Sequence, residues 1–277
     1  MQFQTLRNVK VPVIGQGTWE MGGGMNSNHS QDDREIQALK LGVDLDMTLI
    51  DTAEMYGAGH AEEIVAKAIK GIRNKIFLAT KVSPHNFSYD NVLKAAERSL
   101  ERLQVDQIDL YQLHWPSRIP IKETMRAMAE LLDVGKIKYI GISNFSVEEE
   151  EEAQDALAMY SKARIVSNQV EYSLLVRNIE EDLLQHCQKK GVTIIAYEPF
   201  DKGALFRIHG KRMKILEEVA AKYKKSIAQI ALNWLLSREG VITIPKASNP
   251  NHVRENAAAS DFKLSKEDVK ILDESFE

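Results

Sequence analysis

The chain has a single cysteine, Cys187, among its 277 residues. A lone thiol cannot close an internal disulfide, so nothing covalent calls for an oxidising compartment. Cys187 lies on a helical pattern beside Gln185 and His186 and reads as an inert thiol, not a nucleophile. No apolar run approaches the roughly 20 residues a membrane helix needs. Residues 1–10 hold no apolar core, so no secretory signal is expected there. An excess of positive charge is missing too. The 36 Lys+Arg against 40 Asp+Glu leave a formal net charge of −4, which offers no footprint for nucleic acid or an anionic membrane. A cytoplasmic setting is expected. The histidines are scattered and show no zinc-ligand spacing, so no bound metal is expected. Neither a phosphate loop ending in Lys-Ser/Thr nor a Ser nucleophile elbow occurs, which leaves metal-assisted hydrolysis and acyl transfer little support.

What is present is ordinary for a globular protein: 44% hydrophobic and 27% charged residues. Residues 2–13 alternate around Arg7-Asn8 and predict a β-hairpin. Val13 to Trp19 predicts a strand running into a glycine loop, with a helix from Asp32 to Val43. Strands and helices then alternate: strand 47–50 before helix 60–70, 76–80 before 89–103, 108–113 before 121–133, and 137–141 before 147–160. The rhythm continues with 164–168 before 179–189 and 192–196 before helices near 211–223 and 226–236. Strand 241–244 precedes helix 251–259, and a last helix starts near Ser265. Ser146 with Glu149 makes a capping-box pattern, and Ser88 precedes the apolar face Val92, Ala96, Leu100 and Leu103. Eight strand–helix units predict a parallel sheet closed into a (β/α)₈ TIM barrel, an α/β fold occupying residues 1–277 as one domain. The alternative is an open doubly wound sheet. Its dinucleotide fingerprint is incomplete here, because Gly15-Gln16-Gly17 continues as Thr18-Trp19-Glu20 without the third glycine.

In a barrel the chemistry belongs at the outgoing ends of the strands. Asp51-Thr52-Ala53-Glu54-Met55-Tyr56-Gly57 follows the apolar run Met47 to Ile50. Lys81 follows the next run, and His114 with Trp115 the one after. Further strand ends carry Gly17, Thr18 and Trp19; Ser143 and Asn144; Asn168, Gln169 and Glu171; Tyr197; and Lys246 and Ser248. The chemistry that fits is reduction of a carbonyl. A hydride goes to carbon, and Tyr56 delivers a proton to oxygen. Lys81 is expected to lower the phenol's pKa from roughly 10 toward the working range. Asp51 would hold Lys81 by an ion pair, His114 would orient the carbonyl oxygen, and Trp19 and Trp115 would wall the substrate pocket.

At these residues the chain resembles the aldo-keto reductases. The matching stretches are Asp51 to Gly57, Lys81 within Ala79 to Val82, Asp109 to Pro116, Gly141 to Phe145, Asn168 to Tyr172, and Ile244 to Pro250 continued by His252 to Asn256. The resemblance implies a (β/α)₈ barrel with an N-terminal hairpin and NADPH, sometimes NADH, bound extended across its mouth. It implies that Asp51, Tyr56, Lys81 and His114 form a catalytic tetrad. Gly17, Thr18, Trp19 and Asp51 would contact the cofactor, Ser143, Asn144 and Gln169 would hold the nicotinamide carboxamide, and Tyr197 would stack on the nicotinamide. Pro199, Phe200 and Gly203 lie on the loop expected at the diphosphate, and Lys246, Ala247, Ser248, His252, Glu255 and Asn256 would hold the adenosine end. Two residues depart from the common pattern: Glu198, which is expected to point away from phosphate, and His252, where many NADPH-selective members have arginine. The short stretch after Asn256 implies a more open substrate side. The partner expected is a small carbonyl substrate, with no nucleic acid and no membrane, and the chain is expected to be a monomer or weak homo-oligomer. A second class remains open: a cofactor-binding barrel acting as a regulatory or partner subunit, as the channel-associated relatives of this family do.

Overall fold

The computed structural model describes residues 1–277. Strands β1 (Phe3–Leu6) and β2 (Val9–Pro12) form the expected antiparallel hairpin, with Phe3 opposite Pro12. Its turn at Arg7 takes a left-handed φ of 58°.

The remaining strands are β3 (Gln16–Gly17), β4 (Leu49–Asp51), β5 (Phe77–Val82), β6 (Ile108–Leu113), β7 (Ile137–Ser143), β8 (Ile165–Glu171), β9 (Thr193–Tyr197) and β10 (Val241–Thr243). Each pairs in parallel with the next, giving an eight-stranded sheet in sequence order. The sheet closes on itself. Ile14 bridges Thr243, the Gly15 N–H donates to the Thr243 carbonyl at 2.8 Å, and the Thr243 N–H donates to the Val13 carbonyl at 3.0 Å. This closure explains the Gly-Gln-Gly stretch. A Cβ on Gly15 would stand 2.4 Å from the Leu49 side chain, and one on Gly17 would stand 2.6 Å from the Ile244 carbonyl oxygen. The glycines let two backbones approach; they form no phosphate loop. The regular part of the first strand is the two residues Gln16–Gly17, and Val13 to Gly15 before it make the closing contacts with Thr243.

The helices are α1 (Asp32–Asp44), α2 (His60–Ile69), α3 (Tyr89–Leu103), α4 (Ile121–Asp133), α5 (Val147–Ala158), α6 (Leu183–Lys190), α7 (Lys211–Tyr223), α8 (Ile227–Leu236), α9 (Pro250–Ala257) and α10 (Lys266–Phe276). Ser146 and Glu149 form the reciprocal capping box, and so do Ser226 and Gln229. Ser88 stands at the N-cap of α3, but its side chain makes no capping bond. The helix expected over 179–189 begins only at Leu183, after a 3₁₀ turn at Asn178–Glu180, because the Asp182 carboxylate caps there.

The core has two regions. Between strands and helices lie apolar faces such as Val92, Ala96, Leu100 and Leu103 of α3, all buried. Inside the barrel, Leu49, Phe77, Leu110, Val166, Ile195 and Ile242 pack with Leu6 and Val11 of the hairpin. The hairpin therefore plugs the end where the strands begin. Polar side chains are left to the opposite end.

Candidate active site

That opposite end opens from a buried ion pair. Asp51 is the last residue of β4, and Lys81 lies beside it on β5; their exposures are 2% and 0%. Lys81 Nζ donates to Asp51 Oδ2 at 2.5 Å, to the Thr52 carbonyl at 2.9 Å and to the Tyr56 hydroxyl oxygen at 3.4 Å. Three oxygens thus meet the three N–H bonds of one ammonium. The second carboxylate oxygen, Asp51 Oδ1, accepts from Gln169 Nε2 at 2.8 Å and from Gln112 Nε2 at 3.1 Å. A buried ion pair is tolerable only when its remaining hydrogen-bonding capacity is filled in this way. Strand register does the placing, since Lys81 lies opposite Gln112 and Ser143 opposite Gln169.

Tyr56 reaches the lysine because the chain turns sharply behind it. Gly57, Ala58 and Gly59 have φ of 56°, 54° and 98°, and the Gly57 N–H is anchored on the Gly24 carbonyl at 2.7 Å. A side chain at Gly57 would also strike the Gly22 carbonyl, 2.5 Å away. His114 follows β6 directly. The Tyr56 ring lies between Trp19, 5.0 Å away, and His114, 5.6 Å away, and His114 packs on Trp115 at 4.7 Å.

The electrostatics correct one expectation. Lys81 does pull the Tyr56 phenol down, but burial acts more strongly and Asp51 adds to it, so the phenol's pKa is raised above its ordinary value. Asp51 neutralises much of the ammonium's effect. Lys81 itself is lowered by burial but raised by more through Asp51 and Tyr56, so it stays charged. Burial, with a further push from Lys81, drives His114 down to about 2, leaving the imidazole neutral. Its Nδ1 is buried and bonds to nothing in the protein.

A cavity of about 940 Å³ opens over these groups. It gathers Gly17, Thr18, Trp19, Asp51, Tyr56, His114 and Trp115 with Ser143, Asn144, Gln169, Tyr197, Pro199, Phe200, Gly203 and Lys246. Lys81 lies beneath its floor. Ala247, Ser248, His252, Glu255 and Asn256 are not on its wall. They continue past Lys246 into α9, where the Ser248 carbonyl accepts from Arg34 Nε at 3.0 Å and Asn256 is buried. Also on the wall, though not among the expected site residues, are Glu20, Met25, Met55, His85, Lys202 and Ile244. His85, hydrogen-bonded with Ser83 Oγ at 3.1 Å, carried the only readable signal, a histidine just past a strand end.

One rim of the cavity is polar and connected. Ser143 Oγ donates to the Gln169 carbonyl at 2.8 Å, Asn144 Nδ2 to the His114 carbonyl at 3.1 Å, and the Tyr197 hydroxyl to Asn144 Oδ1 at 2.9 Å. Glu198 does not point away as expected. It lines the cavity, and Lys202 Nζ stands 3.4 Å from its Oε2 as a counter-charge. Burial and then Glu198 raise the pKa of neighbouring Glu171. An aromatic face at Tyr197, amides at Asn144 and Gln169, an unpartnered His114 nitrogen and a cation at Lys246 suit a dinucleotide laid across the mouth. Cys187, by contrast, is buried near Glu150, and both effects raise its pKa, as expected for an inert thiol.

Residues 13–277 match the sequence profile of the Aldo/keto reductase family. The methylglyoxal reductase YeaE of Escherichia coli is 39% identical over 269 residues, which cover 97% of this chain and 92% of that protein. A thermostable aldo-keto reductase solved with the inhibitor epalrestat superposes with a TM-score of 0.94 at 41% identity, covering 99% of this chain and all of that one. An aldo-keto reductase of Klebsiella pneumoniae solved with NADPH has a TM-score of 0.89 at 38% identity, covering 100% of this chain and 96% of its own.

Proposed function

The chain belongs to the aldo/keto reductase family, and from that premise we propose that it reduces aldehydes or ketones to alcohols with NADPH, accepting NADH less well, with Tyr56 as the proton donor. The observation that carries this reading is the buried lysine bonded at once to a carboxylate and to a phenol at the floor of the cavity. The nicotinamide, when bound, supplies the hydride to the carbonyl carbon. Everything else falls to this chain. Tyr56 holds its proton through the working pH range, because its pKa is raised. A carbonyl oxygen that has gained an electron pair becomes an alkoxide, a stronger base than any phenolate, so the proton still moves downhill from Tyr56. Lys81, 3.4 Å from the hydroxyl oxygen, stabilises the phenolate left behind. Asp51 fixes the direction of Lys81. Neutral His114 donates an N–H to the carbonyl oxygen and orients it. Trp19 and Trp115 keep bulk water from the reacting atoms and so strengthen these interactions.

For the cofactor, Ser143, Asn144 and Gln169 would hold the carboxamide. The Gln169 Nε2 is committed to Asp51, so its Oε1 is the atom left to accept. Tyr197 would stack on the ring, backbone at Pro199, Phe200 and Gly203 would meet the diphosphate, and Lys246 with Ala247, Ser248, His252, Glu255 and Asn256 would take the adenosine end. Lys202 would exchange Glu198 for the diphosphate. The substrates we infer are small carbonyls, with methylglyoxal first to try because a methylglyoxal reductase is among the relatives. We further infer that residues 1–277 work as one barrel domain, a monomer or weak homo-oligomer in the cytoplasm, without nucleic-acid or membrane partners; no helix is long and apolar enough to cross a membrane. The test follows NADPH absorbance in the presence of methylglyoxal and a panel of aldehydes. Saturable consumption supports the reading, and none with any carbonyl refutes it.

A further inference from the structure

The fold gathers two histidines that the sequence leaves far apart. His29 lies in the loop after β3, one turn before Asp32 opens α1, and His60 opens α2. Ligand atoms of His29, Asp32 and His60 all lie within 4.8 Å of one another. His60 Nε2 is 2.8 Å from Asp32 Oδ1, and His29 Nδ1 is 3.7 Å from Asp32 Oδ2. The two imidazoles lie 3.8 Å apart between centroids, tilted by 50°. The His60 side chain is 3% exposed and that of His29 67%, so one ligand is fixed and the other adjustable.

The surroundings of His60 are informative. Its Nδ1 is 2.8 Å from Glu63 Oε2, so Nδ1 carries a proton and donates it there. A neutral ring would then aim the Nε2 lone pair at a carboxylate oxygen, two acceptors face to face. At 2.8 Å the positive charge between them is a second proton, and a metal ion would bind by displacing it. A carboxylate on the far nitrogen of a histidine is also how metal-ligating imidazoles are oriented. Tetrahedral zinc with bonds of about 2.0–2.1 Å needs ligand atoms roughly 3.3 Å apart, so the partly exposed Asp32 carboxylate would draw back from its 2.8 Å contact with His60 while exposed His29 closes in. Lys67 Nζ, 3.4 Å from Asp32 Oδ2, is the competing cation; it is half exposed and can swing away.

We propose that His29, Asp32 and His60 form a site for one divalent transition-metal ion of the zinc class, with Glu63 orienting His60 and water in the fourth position. The site lies outside the catalytic cavity but clamps its wall. The loop that ends at His29 carries Trp19 and Met25 of the cavity, and α2 begins four residues after Tyr56. The loop is otherwise tied by the Gly22 N–H to Glu35 Oε2 at 2.8 Å and by the Gly57 N–H to the Gly24 carbonyl at 2.7 Å. An ion would cross-link the loop, α1 and α2 in one place.

The untagged full chain, stripped with chelator, is titrated with Zn²⁺ by calorimetry and with Co²⁺ by visible absorption. One ion per chain is expected, with the intense d–d bands of low-coordinate Co²⁺ and a rise in Tm with Zn²⁺. His29→Ala, whose circular dichroism should match wild type because the side chain is exposed, should bind at least tenfold more weakly and lose the Tm rise. Glu63→Gln should weaken binding about 10–100-fold. Absence of saturable binding to wild type, or an undiminished affinity in His29→Ala, would overturn the proposal.

Discussion

Replacing Lys81 with methionine tests both what holds the site together and what it does. The substitution keeps most of the side-chain volume and removes one charge from a position with no solvent exposure. Asp51 is then a carboxylate buried without its counter-ion, with two amide donors, Gln112 and Gln169, still on its other oxygen. Removing one member of a buried pair typically costs about 3–5 kcal/mol. The two surviving amide bonds place this case at the lower end, about 3 kcal/mol. Turnover should fall at least about a hundredfold, because nothing remains to stabilise the Tyr56 phenolate. Asp51→Asn combined with Lys81→Met removes the stranded charge, and should recover most of the lost stability while recovering none of the turnover. The assays are equilibrium denaturant unfolding and steady-state NADPH oxidation on the wild type, both single variants and the double variant. A Lys81→Met protein with the wild-type unfolding midpoint would refute the buried-pair account. A double variant with restored turnover would refute the role given to Lys81.

Buried neutral His114 should make the fold acid-sensitive. Its pKa is about 2 when folded and 6.5 as the reference, so protons bind the unfolded chain first, and stability is lost as pH falls below about 6.5. Between pH 7 and 5 that amounts to about 2 kcal/mol, and unfolding titrations of His114→Gln should lose less stability over that range by about this amount. Tryptophan fluorescence should be quenched by NADPH through Trp19 and Trp115 at the cavity, whereas Trp234, buried with its Nε1 bonded to Asp273 at 2.8 Å, should not respond. Quenching lost only on changing Trp234 would contradict the site. NADPH should be preferred over NADH by about ten- to a hundredfold, the worth of one charge-assisted contact from Lys246. Dissociation constants should show the margin collapsing in Lys246→Ala and widening in His252→Arg.

Much of this was legible because barrel strands are apolar runs and the residue after each run faces the mouth. Asp51, Lys81 and His114 could be read that way. Gln112 could not: a polar residue inside the run Ile108 to Leu113 looks like an interruption until register sets it opposite Lys81. Met25 and Met55 reach the cavity through loop paths that have no periodicity, whereas His85 stands just past a strand end. The upward shift of Tyr56 is not legible, because the sequence supplies the neighbouring lysine but not the depth of burial. The placement of Glu198 is hidden for a related reason, since the sequence does not show that Lys202 stands beside it as a counter-charge. The Gly15-Gln16-Gly17 stretch could not show that its glycines serve barrel closure, because the atoms they make room for belong to Leu49 and Ile244.

In the proposed reaction the Tyr56 hydroxyl supplies the proton. Tyr56→Phe removes that one oxygen from a ring held by Trp19 and His114, and should leave fold and cavity unchanged. The measurement is the single-turnover rate of carbonyl reduction by pre-bound NADPH in wild type and Tyr56→Phe, with the NADPH dissociation constant determined on both. The dissociation constant should be unchanged and the rate lower by about 10²–10⁴-fold. A Tyr56→Phe protein that binds NADPH and reduces the carbonyl at a near wild-type rate would contradict it.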